Sequence, residues 1–217
     1  PVPEGADTVI RVEDTASDGD RLLVRDARDA GRNVRPRGED VREGDVVLPA
    51  GTAVTPGVLG VLASVGEARP EVHRRPRVAI LGSGDELVDL DRFAEVIAGR
   101  RIVGTNGYTL AALVRQAGGE PVELGTVPDD AGALRAALGR AAGCDLLLTS
   151  AGVSVGDSDL VRRVLASLGG ALHFWRARIR PGGPFAFGTL GAMPWLGLPG
   201  NPVSAMVTFE LFARPVI

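Results

Sequence analysis

The sequence predicts an α/β protein: a doubly wound, mostly parallel sheet in residues 76–217, preceded by a smaller, separate all-β domain. Two observations lead to this prediction. After residue 76, short apolar runs alternate with helical segments, and βαβα alternation builds a parallel sheet with helices on both faces. Before residue 54, short β-type segments are separated by Gly, Asp and Pro, which is typical of a small all-β unit.

The predicted β domain occupies residues 1–53. Residues 8–12 (TVIRV) and 21–25 (RLLVR) alternate polar and apolar side chains, and residues 46–48 (VVL) lie between turn residues. We therefore predict three short strands here, because no helical period competes strongly with this pattern.

Residues 54–75 are predicted to connect the two domains. Thr55 and Pro56 supply a helix N-cap and a first-turn proline, and apolar residues follow at helical spacing up to Val65. Gly66 then ends the helix.

The rest of the chain alternates between strand and helix. We predict helices at residues 106–117, 130–142, 159–168 and from 202 onward, between strands at residues 77–81, 120–124, 145–149, 172–179, 185–188 and 194–198. Ligands of parallel sheets bind beyond the carboxyl ends of the strands, so the loops at those ends are the candidate site.

Composition argues against several classes of protein. The net charge is −3, from 24 basic and 27 acidic residues, and no basic stripe indicates a nucleic-acid or anionic-membrane partner. No apolar stretch approaches the roughly 20 residues that span a bilayer. The first residues lack the features of a secretory signal, so we expect a cytoplasmic protein. A start without methionine and an end inside an apolar run suggest a fragment truncated at both ends.

The cysteine and histidine content is low. Cys144 is the only cysteine, which excludes an intrachain disulfide, and its place beside an apolar run predicts a small buried hydrophobe. His73 and His173 are far apart and have no companions at ligand spacing, so a histidine-based metal site is not expected. The chain contains no lysine, so every basic side chain is arginine.

Four glycine-rich loops follow predicted strands: residues 82–87 (GSGDEL), 150–159 (SAGVSVGDSD), 180–184 (RPGGP) and 197–202 (GLPGNP). Glycine lets backbone N–H groups approach a ligand closely, and a small-residue loop before a helix can direct them at an anion. Ser150 and Ser154 add hydroxyl donors, and Asp159 is placed to cap the next helix. A capped turn without a ligand is the alternative interpretation.

Charged side chains in these loops suggest further chemistry. Asp85, Glu86, Asp157 and Asp159 could hold Mg²⁺, which prefers oxygen ligands, neutralises phosphate charge and activates water. Arg180 is placed at a strand end and could clamp a phosphate or an oxyanion with paired donors. Turn capping and solvated charges explain the same residues without a ligand. The turn at residues 199–201 is rigid, and the helix that Pro202 opens could face an anion.

Together these segments resemble the molybdopterin molybdenumtransferase family, which includes the carboxy-terminal domain of gephyrin. The resemblance covers nearly the whole chain, in the right order, and the combination is highly specific. Besides Asp159, it rests on residues 3–7 (PEGAD), 13–15 (EDT), 34–40 (VRPRGED), 48–51 (LPAG), 84–87 (GDEL), 149–156 (TSAGVSVG), 184–188 (PFAFG) and 197–204 (GLPGNPVS).

The resemblance implies a domain layout and a reaction. Residues 1–53 would be an inserted β domain, residues 54–75 part of a dimer-forming domain, and residues 76–217 the molybdopterin-binding domain of a homodimer. Molybdate and adenylylated molybdopterin would be the substrates. The adenylate would be hydrolysed with Mg²⁺, and molybdenum would enter the dithiolene.

The resemblance also implies roles for individual residues. Glu86 and Asp159 would be the acidic catalytic residues, Thr15 would come from the β domain, and Arg180 would carry an anion-binding charge. The pterin and phosphate pocket would be lined by Ser150, Gly152, Ser154, Gly156, Pro199, Gly200 and Asn201.

Three positions depart from the family pattern. Gly104 stands where the family usually has an aspartate, Gly183 where it usually has a lysine, and Ala151 where it usually has a glycine. Arg180 replaces another lysine and keeps its charge. Because Gly104 and Gly183 each lack a charged group, a non-catalytic molybdopterin-binding or scaffold protein is the main alternative. A molybdopterin adenylyltransferase is less favoured, since it would not need the β domain with residues 13–15.

Overall fold

The computed structural model describes residues 2–150 and 160–217, and the chain divides into two compact units, Pro1–Val72 and His73–Ile217. The first unit contains one antiparallel hairpin, β1 (Thr15–Asp18) and β2 (Arg21–Val24), preceded by a 3-10 turn at Val12–Asp14. It also contains the helix α1 (Pro56–Ser64).

The helix α1 confirms the helix predicted after residue 54. The Thr55 hydroxyl accepts a hydrogen bond from the Val58 N–H, and Pro56 occupies the first turn. Gly66 follows the helix with a φ of +79°, a left-handed conformation that favours glycine.

Two of the three strands predicted in the first unit are wrong. Residues 8–12 form no ladder, because the Val9 backbone is held by isolated bonds from its N–H to the Arg32 carbonyl and from the Asn33 side chain to its own carbonyl. Residues 46–48 pair with no other strand, and Val46 is 82% exposed. Alternation alone did not specify partners for these segments.

The second unit is built on a six-stranded sheet with the strand order β6-β3-β7-β10-β9-β8. The four strands from β6 to β10 are parallel, and the β10-β9 and β9-β8 pairs are antiparallel. Their bounds are β3 (Arg77–Ser83), β6 (Glu120–Val127), β7 (Leu146–Ser150), β8 (Gly170–Trp175), β9 (Ala186–Leu190) and β10 (Met193–Leu198).

Helices cover both faces of this sheet. The helices are α2 (Phe93–Ile97), α3 (Thr105–Gln116), α4 (Ala131–Gly139), α5 (Leu160–Ser167) and α6 (Pro202–Thr208). A π-helical turn at Phe209–Ala213 and a 3-10 turn at Arg214–Val216 follow α6. A separate pair of two-residue parallel strands, β4 (Leu87–Val88) and β5 (Ile102–Val103), lies between β3 and α3 in the chain.

Two hydrophobic cores form because successive strand residues face opposite sides of the sheet. Leu81 and Leu147 pack with α4 and α5, whereas Ile80, Leu146 and Leu148 pack with α3 and α6. The predicted fold class, a doubly wound and mostly parallel sheet, is confirmed.

The main error in this unit concerns strand β8, which ends at Trp175 and not at residue 179. Arg176 has a φ of +76°, which breaks the extended conformation. Arg180 therefore does not lie at a strand end, as predicted, but on a loop between β8 and β9.

Candidate functional site

Three of the four glycine-rich loops begin at neighbouring strand ends. In the parallel registers, Gly82 of β3 pairs with Ser150 of β7, and Ser150 pairs with Leu198 of β10. The three strands therefore end side by side at one edge of the sheet. This is the arrangement expected of a ligand site at the carboxyl edge of a parallel sheet.

Asn106, in the first turn of α3, joins two of these segments. Its side-chain Nδ2 lies 2.6 Å from the Ser150 Oγ and 2.8 Å from the Gly200 carbonyl oxygen. The Asn106 amide thus holds the end of β7 and the β10–α6 turn together.

A cavity of about 160 Å³ lies at this junction. Glu86, Thr105, Asn106, Thr126, Ser150 and Gly200 are among its polar lining residues, and Gly82, Leu87, Ile102, Val103, Gly104, Gly107 and Pro202 complete its lining. Ser150 is buried, at 4% exposure, so its hydroxyl is held at the base of the site and not in bulk solvent.

A second cavity, of about 260 Å³, shares Gly82, Gly104, Gly107 and Thr126 with the first. Its polar lining includes three carboxylates, those of Asp89, Asp91 and Glu123, and the Tyr108 hydroxyl, which accepts a bond from the Leu90 N–H at 3.1 Å. Gly104, which has no side chain, lines both cavities.

Gly104 lies beside Asp89 because of the short β4-β5 pair. Val88 pairs with Val103, and the Gly104 N–H donates to the Val88 carbonyl at 2.9 Å, so the two residues after the strands are neighbours. The Thr126 hydroxyl holds Asp89 by donating to its Oδ1 at 3.2 Å. A carboxylate is therefore present next to Gly104, although it comes from another strand.

The acidic pair predicted after β3 is exposed. The Asp85 Oδ1 accepts a bond from the Asp129 N–H at 3.1 Å. Partial burial of Asp129, and then the nearby charges of Asp85 and Glu86, raise the pKa of the Asp129 carboxyl. Residues 2–150 and 160–217 contain no group of three His, Cys, Asp or Glu residues arranged for a metal, and Asp157 and Asp159 lie outside them.

The predicted phosphate loop lies mostly outside the described residues. This applies to Gly152, Ser154 and Gly156 as well as to both aspartates of the loop. The strand before this loop is anchored by a buried bond, in which the Trp195 Nε1 donates to the Thr149 Oγ1 at 2.9 Å.

The turn after β10 has a clear structural role. The Asn201 Oδ1 accepts bonds from the N–H groups of Val203 and Ser204, and so caps α6. These two donors are consequently occupied by the cap and do not face an anion. Pro199 is buried, and Gly200 directs its carbonyl to the α3 amide described above.

Arg180 is exposed on the loop of residues 176–184 and forms no ion pair with any described residue. Backbone bonds from Ala177 to Gly183, and from Arg176 to Phe185, close the base of this loop. A Cβ on Gly183 would stand 3.4 Å from the Ile179 carbonyl oxygen, an ordinary contact, so the loop has room for a side chain there.

Thr15 and Cys144 were also named in the sequence analysis. Thr15 belongs to the first unit, where its hydroxyl donates to the Val12 carbonyl at 2.8 Å. Cys144 is half-buried rather than buried, and partial desolvation raises the pKa of its thiol. No helix in the described part of the chain is long and apolar enough to cross a membrane.

Comparison with known proteins identifies the class to which this fold and site belong. Residues 79–217 match the family model described as "Probable molybdopterin binding domain", so this is a protein of the molybdopterin-binding class. Residues 1–66 match the model of the "MoeA N-terminal region (domain I and II)". The chain belongs to the MoeA family, and the resemblance inferred from its motifs is confirmed.

Its similar proteins include two enzymes and one solved structure. It is 40% identical over 220 residues to the molybdopterin molybdenumtransferase of Nostoc sp., covering 100% of this chain and 50% of that protein. It is 39% identical over 218 residues to the enzyme of the same name from Haemophilus influenzae, covering 100% of this chain and 53% of that protein.

The crystal structure of the molybdopterin biosynthesis MoeA protein from Pyrococcus horikoshii OT3 superposes with a TM-score of 0.75 at 30% identity, covering 99% of this chain and 51% of that one. The chain thus spans about half the length of each of these three relatives.

Proposed function

We propose that this protein inserts molybdenum into adenylylated molybdopterin during molybdenum cofactor biosynthesis. One observation carries the proposal: the ends of β3, β7 and β10 meet at a cavity where Asn106 ties Ser150 to Gly200. The relatives that match this chain from end to end are named molybdopterin molybdenumtransferases, which supports the assignment.

The substrates of this proposal are adenylylated molybdopterin and molybdate. Ser150, which is buried, and Gly200 line the described cavity, and buried Pro199 precedes Gly200 in the β10–α6 turn. Gly152, Ser154 and Gly156 would add the backbone and hydroxyl donors of the phosphate loop, and Asn201 would complete the pocket from the α6 cap.

Glu86 and Asp159 are the acidic catalytic residues of the proposal, with Thr15 contributed by the first unit. Mg²⁺ suits the donor set of Asp85, Glu86, Asp157 and Asp159, because these are hard oxygen ligands. Partial burial raises the pKa of the nearby Asp129 carboxyl, and the negative charges of Asp85 and Glu86 add to that rise. When bound, Mg²⁺ would neutralise phosphate charge during hydrolysis of the adenylate.

Arg180 is the cation proposed for the molybdate or phosphate oxyanion. It is exposed, and no described carboxylate pairs with it, so its guanidinium is available to a ligand. We also propose a cytoplasmic homodimer, with residues 54–75 in the dimer-forming part and without nucleic acid or membrane as partners.

A non-catalytic molybdopterin-binding protein is the second candidate. It is favoured by Gly104 and Gly183, neither of which offers a charge to the site. The adjacent Asp89 carboxylate weakens the first of these two arguments. The match of residues 1–66 to the MoeA N-terminal region favours either candidate over an adenylyltransferase.

Release of AMP separates the two candidates. The full-length protein would be incubated with adenylylated molybdopterin and Mg²⁺, with and without molybdate, beside a Glu86→Gln variant. Release of AMP that requires molybdate and is lost in the variant supports the transferase. Tight binding of the substrate without AMP release supports the non-catalytic candidate.

A further inference from the structure

The Oδ1 atom of Asn106 is buried and has no hydrogen-bond donor within the described part of the chain. Buried polar side-chain atoms in native proteins are nearly always hydrogen-bonded, so an unpaired one requires a reason. Asn106 lines the strand-end cavity, where a ligand can supply the missing donor.

The orientation of the Asn106 amide follows from its partners. The Gly200 carbonyl, 2.8 Å away, can only accept a hydrogen bond, so the NH₂ group and not the oxygen must face it. The Ser150 Oγ takes the second N–H hydrogen at 2.6 Å. Rotating the amide by half a turn would place two oxygens in contact, so the Oδ1 atom keeps its acceptor role.

Ser150 completes the pattern. Because its Oγ accepts from Asn106, its own hydroxyl hydrogen remains available to donate. Asn106 and Ser150, which are in direct contact, therefore offer a ligand in this cavity an acceptor, the Asn106 Oδ1, beside a donor, the Ser150 hydroxyl.

This pattern discriminates between parts of a substrate. Phosphate and molybdate oxygens are acceptors, so they cannot satisfy the Asn106 Oδ1, whereas an N–H of a nitrogen heterocycle can. The cavity of about 160 Å³ is also small compared with the roughly 300–1,000 Å³ of sites that enclose whole drug-sized ligands. It suits one ring system of a larger substrate.

We propose that Asn106 and Ser150 bind the edge of a nitrogen heterocycle, with the Asn106 Oδ1 accepting from a ring N–H and the Ser150 hydroxyl donating to a neighbouring acceptor. The identity of the ligand rests on the proposed function, whose substrate carries two such rings, a pterin and an adenine. Asn106 then has two tasks: it ties β7 to the β10–α6 turn, and it recognises the heterocycle.

The test is calorimetric titration of the full-length protein with 6-hydroxymethylpterin, AMP and molybdate. The variants are Asn106→Ala and Ser150→Ala. Gln116→Ala is the matched control, since it removes an exposed amide from the other end of the same helix. We expect both test variants to bind one of the two heterocycles at least tenfold more weakly than the wild type does. Their affinity for molybdate should change less than twofold, and the control should bind all three compounds as the wild type does.

The heterocycle whose affinity falls identifies the ring that is bound, so a selective loss of affinity for either 6-hydroxymethylpterin or AMP supports the inference. Unchanged affinity for both heterocycles in both variants overturns it. An equal loss of affinity for all three probes, together with a lower melting temperature, would show a purely structural role and also overturns the inference. Because Ser150→Ala keeps the Asn106–Gly200 bond, it still tests the inference if Asn106→Ala misfolds. Adenylylated molybdopterin is titrated in parallel. If the wild type binds it and both variants bind it with the same affinity, only this inference is refuted. If the wild type does not bind it, the proposed function is refuted as well.

Discussion

Thr126 stands directly against the space that a side chain at Gly104 would occupy: a Cβ on Gly104 would lie 3.0 Å from the Thr126 hydroxyl oxygen. The same hydroxyl donates to the Asp89 carboxylate at 3.2 Å. A carboxylate introduced at residue 104 would therefore meet both a crowded hydroxyl and an existing negative charge. The glycine belongs to a local arrangement that includes Thr126 and Asp89.

We predict that Gly104→Asp alone destabilises the protein and does not raise its activity. Overpacking of this kind costs about 1–3 kcal/mol. The double variant Gly104→Asp/Thr126→Ala lacks the crowded hydroxyl oxygen. A favourable coupling of roughly 0.5–3 kcal/mol between the two substitutions should therefore restore part of the lost stability. Urea unfolding of the two single variants and the double variant measures this coupling.

Gly107→Asp is the matched control, because nothing lies within 4 Å of a Cβ at Gly107. It should be less destabilising than Gly104→Asp. Equal unfolding free energies for Gly104→Asp and the wild type would show that Thr126 does not restrict this position.

A second prediction concerns the cation at the β8–β9 loop. If Arg180 binds the oxyanion in the transition state, Arg180→Ala removes a charge-assisted contact of about 1.5–3 kcal/mol. That corresponds to a roughly ten- to hundredfold slower molybdenum insertion. Arg178→Ala, which removes another exposed arginine of the same loop, is the control and should be near wild type.

Gly183→Lys tests the same loop in the opposite direction. A Cβ at Gly183 makes no contact shorter than 3.4 Å, so the backbone there tolerates a side chain, and the added charge should raise the rate of insertion. Full activity of Arg180→Ala in a kinetic assay would mean that the oxyanion site lies elsewhere.

The third prediction is a pH dependence of stability. The Arg74 guanidinium binds both oxygens of Asp145 at 2.6 Å, and this hydrogen bonding, followed by that of the Arg77 N–H, lowers the pKa of Asp145 to about 2. Because the pKa is lower in the folded protein, the stabilisation is present above the ordinary value of 3.8 and is lost as the pH falls towards 2. The Asp145→Asn variant should therefore differ most from wild type above pH 4.

Chemical unfolding between pH 2.5 and 6 measures this difference. Arg74→Ala should reduce the pH-dependent part of the stability that Asp145 contributes, since the Arg74 guanidinium is the main cause of the lowered pKa of Asp145. A difference between wild type and Asp145→Asn that stays constant over this range would argue against the assignment.

Much of the second unit was predictable because its elements are long and strongly patterned. Strands β3, β6, β7 and β10 begin and end within three residues of their predicted bounds, and the helix predicted from residue 202 begins at Pro202. In contrast, β4 and β5 are two residues each, too short for any period to reveal. Their register alone brings Asp89 to Gly104.

The candidate site was only partly predictable for a similar reason. Ser150 and Gly200 could be chosen from glycine-rich loops at strand ends, but their connection through Asn106 depends on how α3 begins against two other segments. The resemblance implied a pocket role for Asn201, whereas in the structure its side chain caps α6. Arg180 was misplaced because apolar alternation continued past Trp175, where the backbone of Arg176 ends the strand.

Insertion of molybdenum itself is the most direct test of the proposed function. The full-length protein would be given adenylylated molybdopterin, Mg²⁺ and molybdate, and the product transferred to a molybdenum enzyme purified without its cofactor. We predict that the recipient gains both molybdenum and activity, and that omitting molybdate or replacing Glu86 by Gln abolishes the gain. A recipient that stays inactive, although the protein has bound its substrate, would contradict the transferase assignment.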